Sequence, residues 1–290
     1  MAADIGIEAG VNSLTQTRLE GLCAMVTGAS QGIGLACARA LAEDGARVVI
    51  MSRRIEAVEE ARERLLHEVP GASIEVRSGD AMSETDMGEA LAFTHGLAGR
   101  LDIVVSVVGE PSFKPMLMKD LNEVRSEFAM NFDTAFLAVR HAAPLMRPGG
   151  SIVCLSSAAV TQAGWGISVY GAAKAAVERF VRAAAFELGG AGIRVNAVRP
   201  GLTLPPERET DPDFLAMIEA YKSETPLGRS GRPEDVARAV RFLAGPESGW
   251  VTGQTFSADG GMDQGKGPDT MDSMFGKAAM DLIRRGKIAM

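Results

Sequence analysis

Short runs of apolar residues alternate along this chain with longer segments in which apolar residues recur every three or four positions. The short runs are typical of strands that are buried on both faces, and the longer periodic segments are typical of helices. Their regular alternation predicts a single α/β domain, a doubly wound parallel sheet with helices on both faces. The predicted strands are 22–26, 46–51, 73–78, 101–108, 150–155, 193–198 and 254–257. The predicted helices are 35–44, 54–68, 83–98, 120–146, 168–189, 213–222 and 233–244.

A glycine-rich turn joins the first predicted strand to the first predicted helix. It runs T-G-A-S-Q-G-I-G from Thr27 to Gly34, with the glycine spacing G-x-x-x-G-x-G. Glycines let a backbone approach the pyrophosphate of a dinucleotide, and the start of a helix supplies free N–H groups and a positive dipole. Alone, such a loop is also compatible with an ordinary tight turn. Between a strand and a helix it predicts a dinucleotide-binding site.

Tyr170 and Lys174 lie four residues apart inside the predicted helix 168–189. That spacing puts both side chains on one face of the helix, one turn from each other. A phenol with a pKa of roughly 10 is a weak acid–base group at neutral pH, and a nearby ammonium lowers that pKa. The pair predicts proton exchange with an alcohol oxygen. Without further motifs, a surface Tyr beside a solvated Lys would be the commoner meaning of this spacing.

Three motifs occur in a fixed order along most of the chain. They are T-G-A-S-Q-G-I-G, a Ser-Ser pair followed by Y-G-A-A-K, and R-V-N-A-V-R-P-G. Together they resemble a classical short-chain dehydrogenase/reductase, from about Leu19 to Met262. The resemblance implies a single Rossmann-type domain, a nicotinamide cofactor and a homotetramer or homodimer that pairs through helices 120–146 and 168–189.

The active site of that family is a tetrad, which the resemblance assigns to Asn131, Ser157, Tyr170 and Lys174. Ser156 is the neighbouring candidate, but the family's spacing favours Ser157. As implied by the resemblance, Ser157 holds the carbonyl oxygen and Tyr170 exchanges the proton. Lys174 lowers the Tyr170 pKa and grips the cofactor ribose, and Asn131 holds a water that links Lys174 to solvent.

The end of the second predicted strand indicates which nicotinamide cofactor is used. NAD-specific sites place an acidic residue there, whereas this chain has Ser52 followed by Arg53 and Arg54. Guanidinium groups suit recognition of a 2′-phosphate, so NADP(H) is expected in preference to NAD. A solvated charge pair at a helix start is the alternative. Gln31 departs from the basic residue that many NADP-dependent members carry at this loop position. The predicted cofactor contacts are Thr27, Gly28, Ser30, Gln31, Gly32, Ile33, Gly34, Ser52, Arg53, Arg54, Asp80, Ala81, Gly109, Asn131, Tyr170, Lys174, Pro200, Gly201 and Thr203.

Composition agrees with a globular domain of ordinary kind, with 46% hydrophobic and 23% charged residues. The net charge of -7 argues against a nucleic-acid partner. The three cysteines, Cys23, Cys37 and Cys154, lie in predicted core elements, which favours buried thiols in a reducing, cytoplasmic compartment. No apolar run reaches transmembrane length, so no membrane partner is expected, and no spacing indicates a metal site.

The chain divides into an N-terminal extension at 1–18, the catalytic domain at 19–262 and a C-terminal tail at 263–290. From the resemblance, the proline-rich segment 201–231 is expected to be a mobile lid over the substrate. Trp165 is predicted to contact the substrate together with Ser157 and Tyr170. The tail predicts an amphipathic helix from Thr270 to Arg285 that is buried by this chain or a neighbouring subunit, with a frayed tail as the alternative. Its apolar face contains Met271, Met274, Phe275, Ala278, Leu282 and Ile283.

Two positions depart from the family's pattern. The family's N-N-A-G after the fourth strand is replaced by Ser106-Val107-Val108-Gly109, which removes polar amides from the strand end. Pro205 stands where many members have a Thr near the nicotinamide amide, and Thr203 is a possible substitute.

These features predict an NADP(H)-dependent carbonyl reductase or alcohol dehydrogenase. A 3-oxoacyl thioester reductase is the alternative substrate class. Enoyl reductases usually show a wider gap between Tyr and Lys, and sugar epimerases and dehydratases usually carry G-x-x-G-x-x-G. A cofactor-sensing regulator or scaffold without turnover is the alternative from a different class, and the intact tetrad argues against it.

Overall fold

The computed structural model describes residues 18–212, 215–265, 273 and 276–287. In this part of the chain, parallel strands form one sheet in the order β3-β2-β1-β4-β5-β6-β7. The strands are β1 (Cys23–Thr27), β2 (Arg47–Ser52), β3 (Ile74–Ser78), β4 (Leu101–Ser106), β5 (Met146–Leu155), β6 (Arg194–Pro200) and β7 (Thr255–Ala258). The direction of strand succession reverses between β1 and β4, and ligands of doubly wound sheets bind at the carboxyl ends of strands flanking such a reversal.

Helices cover both faces of the sheet, which confirms the predicted fold class. The helices are α1 (Gly32–Glu43), α2 (Ile55–Glu68), α3 (Glu84–Gly96), α4 (Leu121–Ala142), α5 (Ser168–Leu188), α6 (Leu215–Glu224), α7 (Pro233–Ala244) and α8 (Lys277–Arg284). Helices α1, α2 and α7 pack in one apolar core, and α3, α4 and α5 pack in the other. Strands β1 and β4 lie between these cores and are buried along their whole length. Their mostly apolar sequences, interrupted in β4 by Asp102, are the consequence of this double burial.

The fourth strand ends two residues earlier than predicted. Val107 leaves the ladder because its backbone N–H donates to Thr27 Oγ1 at 3.1 Å. Strand β5 begins earlier than predicted, at Met146, because it pairs with Leu101 before a register shift in the β4–β5 ladder. Both differences arise from pairings with other strands, which a local apolar pattern does not report.

The three cysteines are free and buried, as their positions in core elements predicted. Burial raises the pKa of the Cys37 thiol, and it raises the pKa of the Cys154 thiol to about 12. These thiols are therefore protonated core side chains at neutral pH. None of the helices in the described ranges has the length and apolarity needed to cross a lipid bilayer.

The predicted tail helix is only partly inside the described residues. Its observed portion is α8, whereas Met271, Met274 and Phe275 lie outside the described residues, as does most of the N-terminal extension. Leu282 is 41% exposed and Ile283 is 50% exposed, so these two side chains are not buried against their own chain. The described part of the tail thus presents an apolar face to its surroundings.

Arg194 ties strand β6 to the end of helix α7. Its guanidinium donates to the carbonyl oxygens of Leu243 and Gly245, at 2.8 and 3.2 Å, and to Ser248 Oγ at 2.8 Å. Burial lowers the pKa of this guanidinium, and Glu247 partly opposes the shift. The hydrogen bonds compensate for the loss of hydration at this position.

We expect Arg194→Met to lower the free energy of unfolding by about 2 kcal/mol, because buried carbonyl groups lose charge-assisted hydrogen bonds. Urea denaturation followed by circular dichroism measures the change. Arg238→Met is the matched control, since Arg238 lies on α7 with its side chain 75% exposed and its loss should change stability by less than about 0.5 kcal/mol. Equal stability of the two variants would contradict the structural role of Arg194.

Candidate active site

The carboxyl ends of the strands border a cavity of about 1100 Å³. It lies at the reversal of strand order, between the glycine-rich turn after β1 and the segments that follow β4, β5 and β6. Most residues predicted from the sequence to contact the cofactor or substrate line it. These are Gly28, Ser30, Gln31, Gly32, Ile33, Gly34, Ser52, Arg53, Arg54, Asp80, Ala81, Gly109, Ser157, Tyr170, Lys174, Pro200, Gly201 and Thr203.

The glycines of the glycine-rich turn are required by backbone angles at two positions and by close packing at a third. Gly28 and Gly32 have φ angles of 63° and 57°, in the region that favours glycine. A β carbon on Gly34 would lie 2.3 Å from the Gly28 carbonyl oxygen. The Gln31 side chain at the N-cap of α1 makes no capping hydrogen bond. The turn and the uncapped helix start therefore form a cradle that fits the pyrophosphate of a dinucleotide.

Three predicted catalytic side chains meet at the other end of the cavity. The Ser157 side chain lies close enough to the Tyr170 phenol to lower the pKa of that phenol. Lys174 Nζ lies 5.8 Å from the centroid of the Tyr170 ring and donates to the Leu155 carbonyl oxygen at 3.0 Å. Helix α5 supplies Tyr170 and Lys174 on one face, and the end of β5 supplies Ser157. A hydroxyl, a phenol and an ammonium so placed can bind and protonate a carbonyl oxygen.

Comparison with known proteins agrees with this geometry. The family model described as enoyl-(acyl carrier protein) reductase matches residues 28–263. The chain is 34% identical to galactitol 2-dehydrogenase (L-tagatose-forming) of Cereibacter sphaeroides, over 85% of this chain and 97% of that protein. It is 33% identical to a 3-oxoacyl-[acyl-carrier-protein] reductase of Synechocystis, over 85% of this chain and 98% of that protein. A crystal structure of a short-chain dehydrogenase from Burkholderia cenocepacia in complex with NADP is 31% identical, with a TM-score of 0.78, over 85% of this chain and 99% of that one.

The chain belongs to the short-chain dehydrogenase/reductase family. It is accordingly an oxidoreductase of alcohol and carbonyl groups that uses a nicotinamide cofactor. The names of its relatives differ widely in substrate, from a sugar alcohol to an acyl thioester, so membership of the family does not determine the substrate.

The pKa values of the catalytic pair are set mainly by burial. Burial raises the pKa of Tyr170, and the Ser157 side chain lowers it by less. This direction is opposite to the lowering by Lys174 that was predicted from the sequence. Burial also lowers the pKa of Lys174 to about 8, with a small opposing effect from Cys154, because an ammonium loses its hydration inside the protein. At neutral pH the phenol is therefore protonated, and the ammonium loses its proton as the pH rises through about 8.

Asn131 lies behind the cavity wall, next to Lys174. Its side-chain N–H₂ donates to the carbonyl oxygens of Glu127 at 2.8 Å and Glu110 at 3.0 Å. A β carbon on Gly109 would lie 2.5 Å from Asn131 Oδ1 and 2.7 Å from Lys174 Nζ. Only glycine is compatible with this approach, which explains why the last position of the S-V-V-G motif still matches the family.

The departure before Gly109 is compensated by hydroxyl groups. The Val107 N–H is held by Thr27, and Thr134 Oγ1 donates to the Val108 carbonyl oxygen at 3.2 Å. Thr27 is fully buried and acts beneath the cavity floor, although it was predicted to contact the cofactor. The strand end is thus fixed without the family's amide side chains. Thr203 lines the cavity, as expected of a substitute for the residue replaced by Pro205.

Ser156 and Ser157 have different roles in the structure. Ser156 also lines the cavity, but its Oγ donates to Glu178 Oε1 at 2.6 Å. Arg199 pairs with the same carboxylate, at 2.9 Å from Nε to Oε1 and 2.7 Å from Nη2 to Oε2, and it also forms an ion pair with Asp263. We call these four residues the Ser156–Asp263 network. It places Ser157, and not Ser156, beside Tyr170.

The sequence analysis missed the Ser156–Asp263 network. A local signal existed, because Glu178 lies one helical turn after Lys174 on a face that is otherwise apolar. Charged residues on a buried helix face require partners. The identity of those partners was not available from the sequence, since Arg199 and Asp263 lie on other elements.

The cofactor end of the cavity presents two arginines. Arg53 and Arg54 are exposed, and neither forms an ion pair with any described residue. Asp80 at the same end accepts a hydrogen bond from the Met82 N–H at 3.0 Å, which orients its carboxylate. These positions agree with the predicted contacts for the nucleotide part of a cofactor.

The substrate end differs from the prediction in one residue. Trp165 is 94% exposed and does not line the cavity, because its loop carries it outward. Other apolar and aromatic residues contribute to the cavity wall. They include Phe113, Met130, Ile167, Leu202, Tyr221 and Met262.

We expect Gly34→Ala to abolish binding of the nicotinamide cofactor, because the added methyl group would collide with the Gly28 carbonyl at the tightest point of the turn. Titration of protein fluorescence with the reduced cofactor measures the affinity. Gly96→Ala is the control, since a β carbon at Gly96 meets no atom within 4 Å. Wild-type affinity in Gly34→Ala would contradict the assignment of this turn.

Proposed function

We propose that the protein is an NADP(H)-dependent carbonyl reductase or alcohol dehydrogenase with Tyr170 as its general acid–base. The observation that carries the proposal is that Ser157, Tyr170 and Lys174 line the same cavity as the glycine cradle and the Arg53–Arg54 pair. A ketone or aldehyde bound between Ser157 and Tyr170 would accept hydrogen bonds from both hydroxyl groups. The S-V-Y-G-A-A-K spacing supports reduction of C=O in preference to C=C.

The bound cofactor would exchange a hydride with the carbon atom of the carbonyl or alcohol. The chain's own residues would supply the remaining steps. Ser157 would hold the substrate oxygen, and the Tyr170 hydroxyl would transfer its proton to that oxygen as negative charge develops. The Lys174 ammonium would stabilise the phenolate that remains after this transfer, and it would contact the cofactor ribose.

The pKa of Tyr170 is consistent with this role. Reduction requires the protonated phenol, whereas oxidation of an alcohol requires a group that accepts the proton. Burial raises the pKa of Tyr170, so the phenol carries its proton at neutral pH. The proton that carbonyl reduction requires is therefore present at this pH.

NADP(H) is proposed in preference to NAD(H). Two guanidinium groups without carboxylate partners lie where the second strand ends, and no carboxylate follows β2 at Ser52. Guanidinium groups bind phosphate by paired, charge-assisted hydrogen bonds. The complex of the Burkholderia relative with NADP also supports this choice.

A 3-oxoacyl thioester reductase stays the alternative substrate class, supported by the name of the Synechocystis relative. A regulator that binds the cofactor without turnover is the alternative outside enzymology. Consumption of NADPH with a panel of steroid, aromatic, sugar and 3-oxoacyl carbonyl compounds distinguishes these three. Binding of NADPH without consumption across the whole panel would favour the regulator.

We expect Tyr170→Phe to reduce kcat at least about a hundredfold, because the proton donor is lost while the ring remains. The affinity for NADPH should stay close to that of the wild type. Lys174→Ala should instead damage both turnover and NADPH affinity, since one ammonium serves both. Steady-state kinetics and a fluorescence titration measure the two effects. More than a few per cent of wild-type turnover in Tyr170→Phe would remove Tyr170 from its proposed role.

We expect the double substitution Ser52→Asp with Arg53→Ala to lower the ratio of kcat/KM for NADPH to kcat/KM for NADH by at least about tenfold. A carboxylate would then repel the 2′-phosphate and bind the ribose hydroxyls of NADH. Arg64→Ala is the control, because Arg64 lies on α2 with a side chain 61% exposed and outside the cavity lining. A wild type that prefers NADH would show that the proposal for this strand end is wrong.

We further propose a homodimer or homotetramer formed through α4 and α5. Phe136 on α4 is 38% exposed and Phe186 on α5 is 89% exposed, which is unfavourable for an isolated chain in water. A neighbouring subunit would also cover Leu282 and Ile283 of α8.

Multi-angle light scattering at micromolar concentration should give at least twice the mass of the chain. Phe136→Asp with Phe186→Asp should shift the protein toward the monomer, because charges would enter the apolar contact. The control Ile55→Asp, at an exposed residue of α2, should leave the mass unchanged. A wild-type monomer would refute the proposed assembly.

A further inference from the structure

The charged residues of the cavity differ in their exposure. Arg53 and Arg54 are at the cofactor end together with Asp80, and Lys174, the other cation among the described residues that line the cavity, is only 3% exposed. Glu110 also lines the cavity, and its side chain is exposed. The Glu110 carboxylate is therefore an exposed negative charge of the cavity, whereas the positive charge of Lys174 is buried.

The backbone of Glu110 is fixed beside the catalytic groups. Glu110 follows Gly109, whose α carbon lies against both Asn131 Oδ1 and Lys174 Nζ. The Glu110 carbonyl oxygen accepts a hydrogen bond from Asn131 at 3.0 Å. The Glu110 side chain is exposed at the cavity rim, and its carboxylate forms no ion pair with any residue that the structure describes.

The lysines of the same loop do not neutralise Glu110. Lys114 pairs with Glu123 of α4. Lys119 pairs with Glu127, and these two side chains are only 1% and 5% exposed. Both ammonium groups are thus paired with carboxylates of α4, and they leave the negative charge of Glu110 at the rim of the cavity.

We infer that Glu110 is a specificity-determining residue that selects carbonyl substrates with an apolar body and a positively charged ammonium group. The inference rests on the proposed carbonyl reduction and names the substrate class of that site. A cation near Glu110 gains attraction, whereas a carboxylate or phosphate is repelled across a cavity with apolar walls. Substrates attached to a phosphate-bearing carrier are disfavoured for the same reason.

The test uses three aryl ketones of nearly equal shape. They are (4-acetylbenzyl)trimethylammonium, the neutral 4-neopentylacetophenone and the anionic (4-acetylphenyl)methanesulfonate. The measurement is kcat/KM for each with saturating NADPH. The wild type should prefer the cation to the neutral ketone and the neutral ketone to the anion, with steps of about threefold to fivefold, as expected for a solvated charge pair. The differences should lie in KM and should shrink at about 0.5 M salt.

The three ketones differ in intrinsic reactivity. Comparing the same ketones in the wild type and in variants of Glu110 cancels that difference. Glu110→Gln should lower the ratio of kcat/KM for the cation to kcat/KM for the anion by about tenfold, and Glu110→Lys should invert the order. Glu187→Gln is the matched control, an exposed glutamate of α5 outside the cavity lining, and it should retain the wild-type ratio. An identical ratio in the wild type and Glu110→Gln, or a wild-type preference for the anion, would overturn the inference.

The inference can fail separately from the proposed function. Turnover of all three ketones without a charge-dependent order would leave carbonyl reduction intact and remove the role of Glu110. If none of the three ketones is turned over, the proposed reduction fails for aryl ketones. The role of Glu110 is then tested by the binding of these ketones. Calorimetric titration of the same ketones into the wild type and Glu110→Gln, each with NADP⁺, should then show the charge order in the wild type alone. Equal affinities in both proteins would overturn it.

Discussion

Burial of the Lys174 ammonium is the constraint on which the active site depends. An ammonium that is only 3% exposed loses most of its hydration, which is why its pKa falls to about 8. The Leu155 carbonyl oxygen compensates directly, and the space around Nζ is closed by Gly109 and Asn131. The buried Lys174 ammonium therefore depends on the positions of three residues, which are Leu155 at the end of β5, Gly109 after β4 and Asn131 on α4.

The same burial shifts the pKa values of Tyr170 and Lys174 in opposite directions. Dehydration raises the pKa of the phenol and lowers that of the ammonium, because both changes favour the neutral form. At neutral pH the pair consists of an acid that keeps its proton and a cation that is close to losing its own. This arrangement suits transfer of a proton outward to a developing alkoxide.

The architecture and most of the site could be predicted from the sequence, because they depend on local properties of single strands and helices. The apolar runs at Cys23–Thr27 and Leu101–Ser106 reflect burial on both faces, which is a local property of each strand. The spacing of Tyr170 and Lys174 is fixed by the helix that carries them. The direction of the Tyr170 pKa shift was not accessible, because dehydration depends on elements packed around the ring. The outward position of Trp165 depends on the path of a loop, and the partners of Glu178 lie on distant elements.

The Ser156–Asp263 network has a consequence for the C-terminal tail. Ser156 immediately precedes Ser157, and Asp263 immediately follows Met262, which lines the cavity. The Gln162 side chain also donates to the Met262 carbonyl oxygen, from the loop between Ser157 and Tyr170. The first turn of the tail is therefore held at two points, Met262 by Gln162 and Asp263 by Arg199. Asp263 also accepts a hydrogen bond from Ser257 of the outer strand β7, so this strand shares the ion pairs of Glu178 and Arg199 with the start of the tail. In mechanical terms, a force on Asp263 would be transmitted through these contacts to the segment that begins at Ser156.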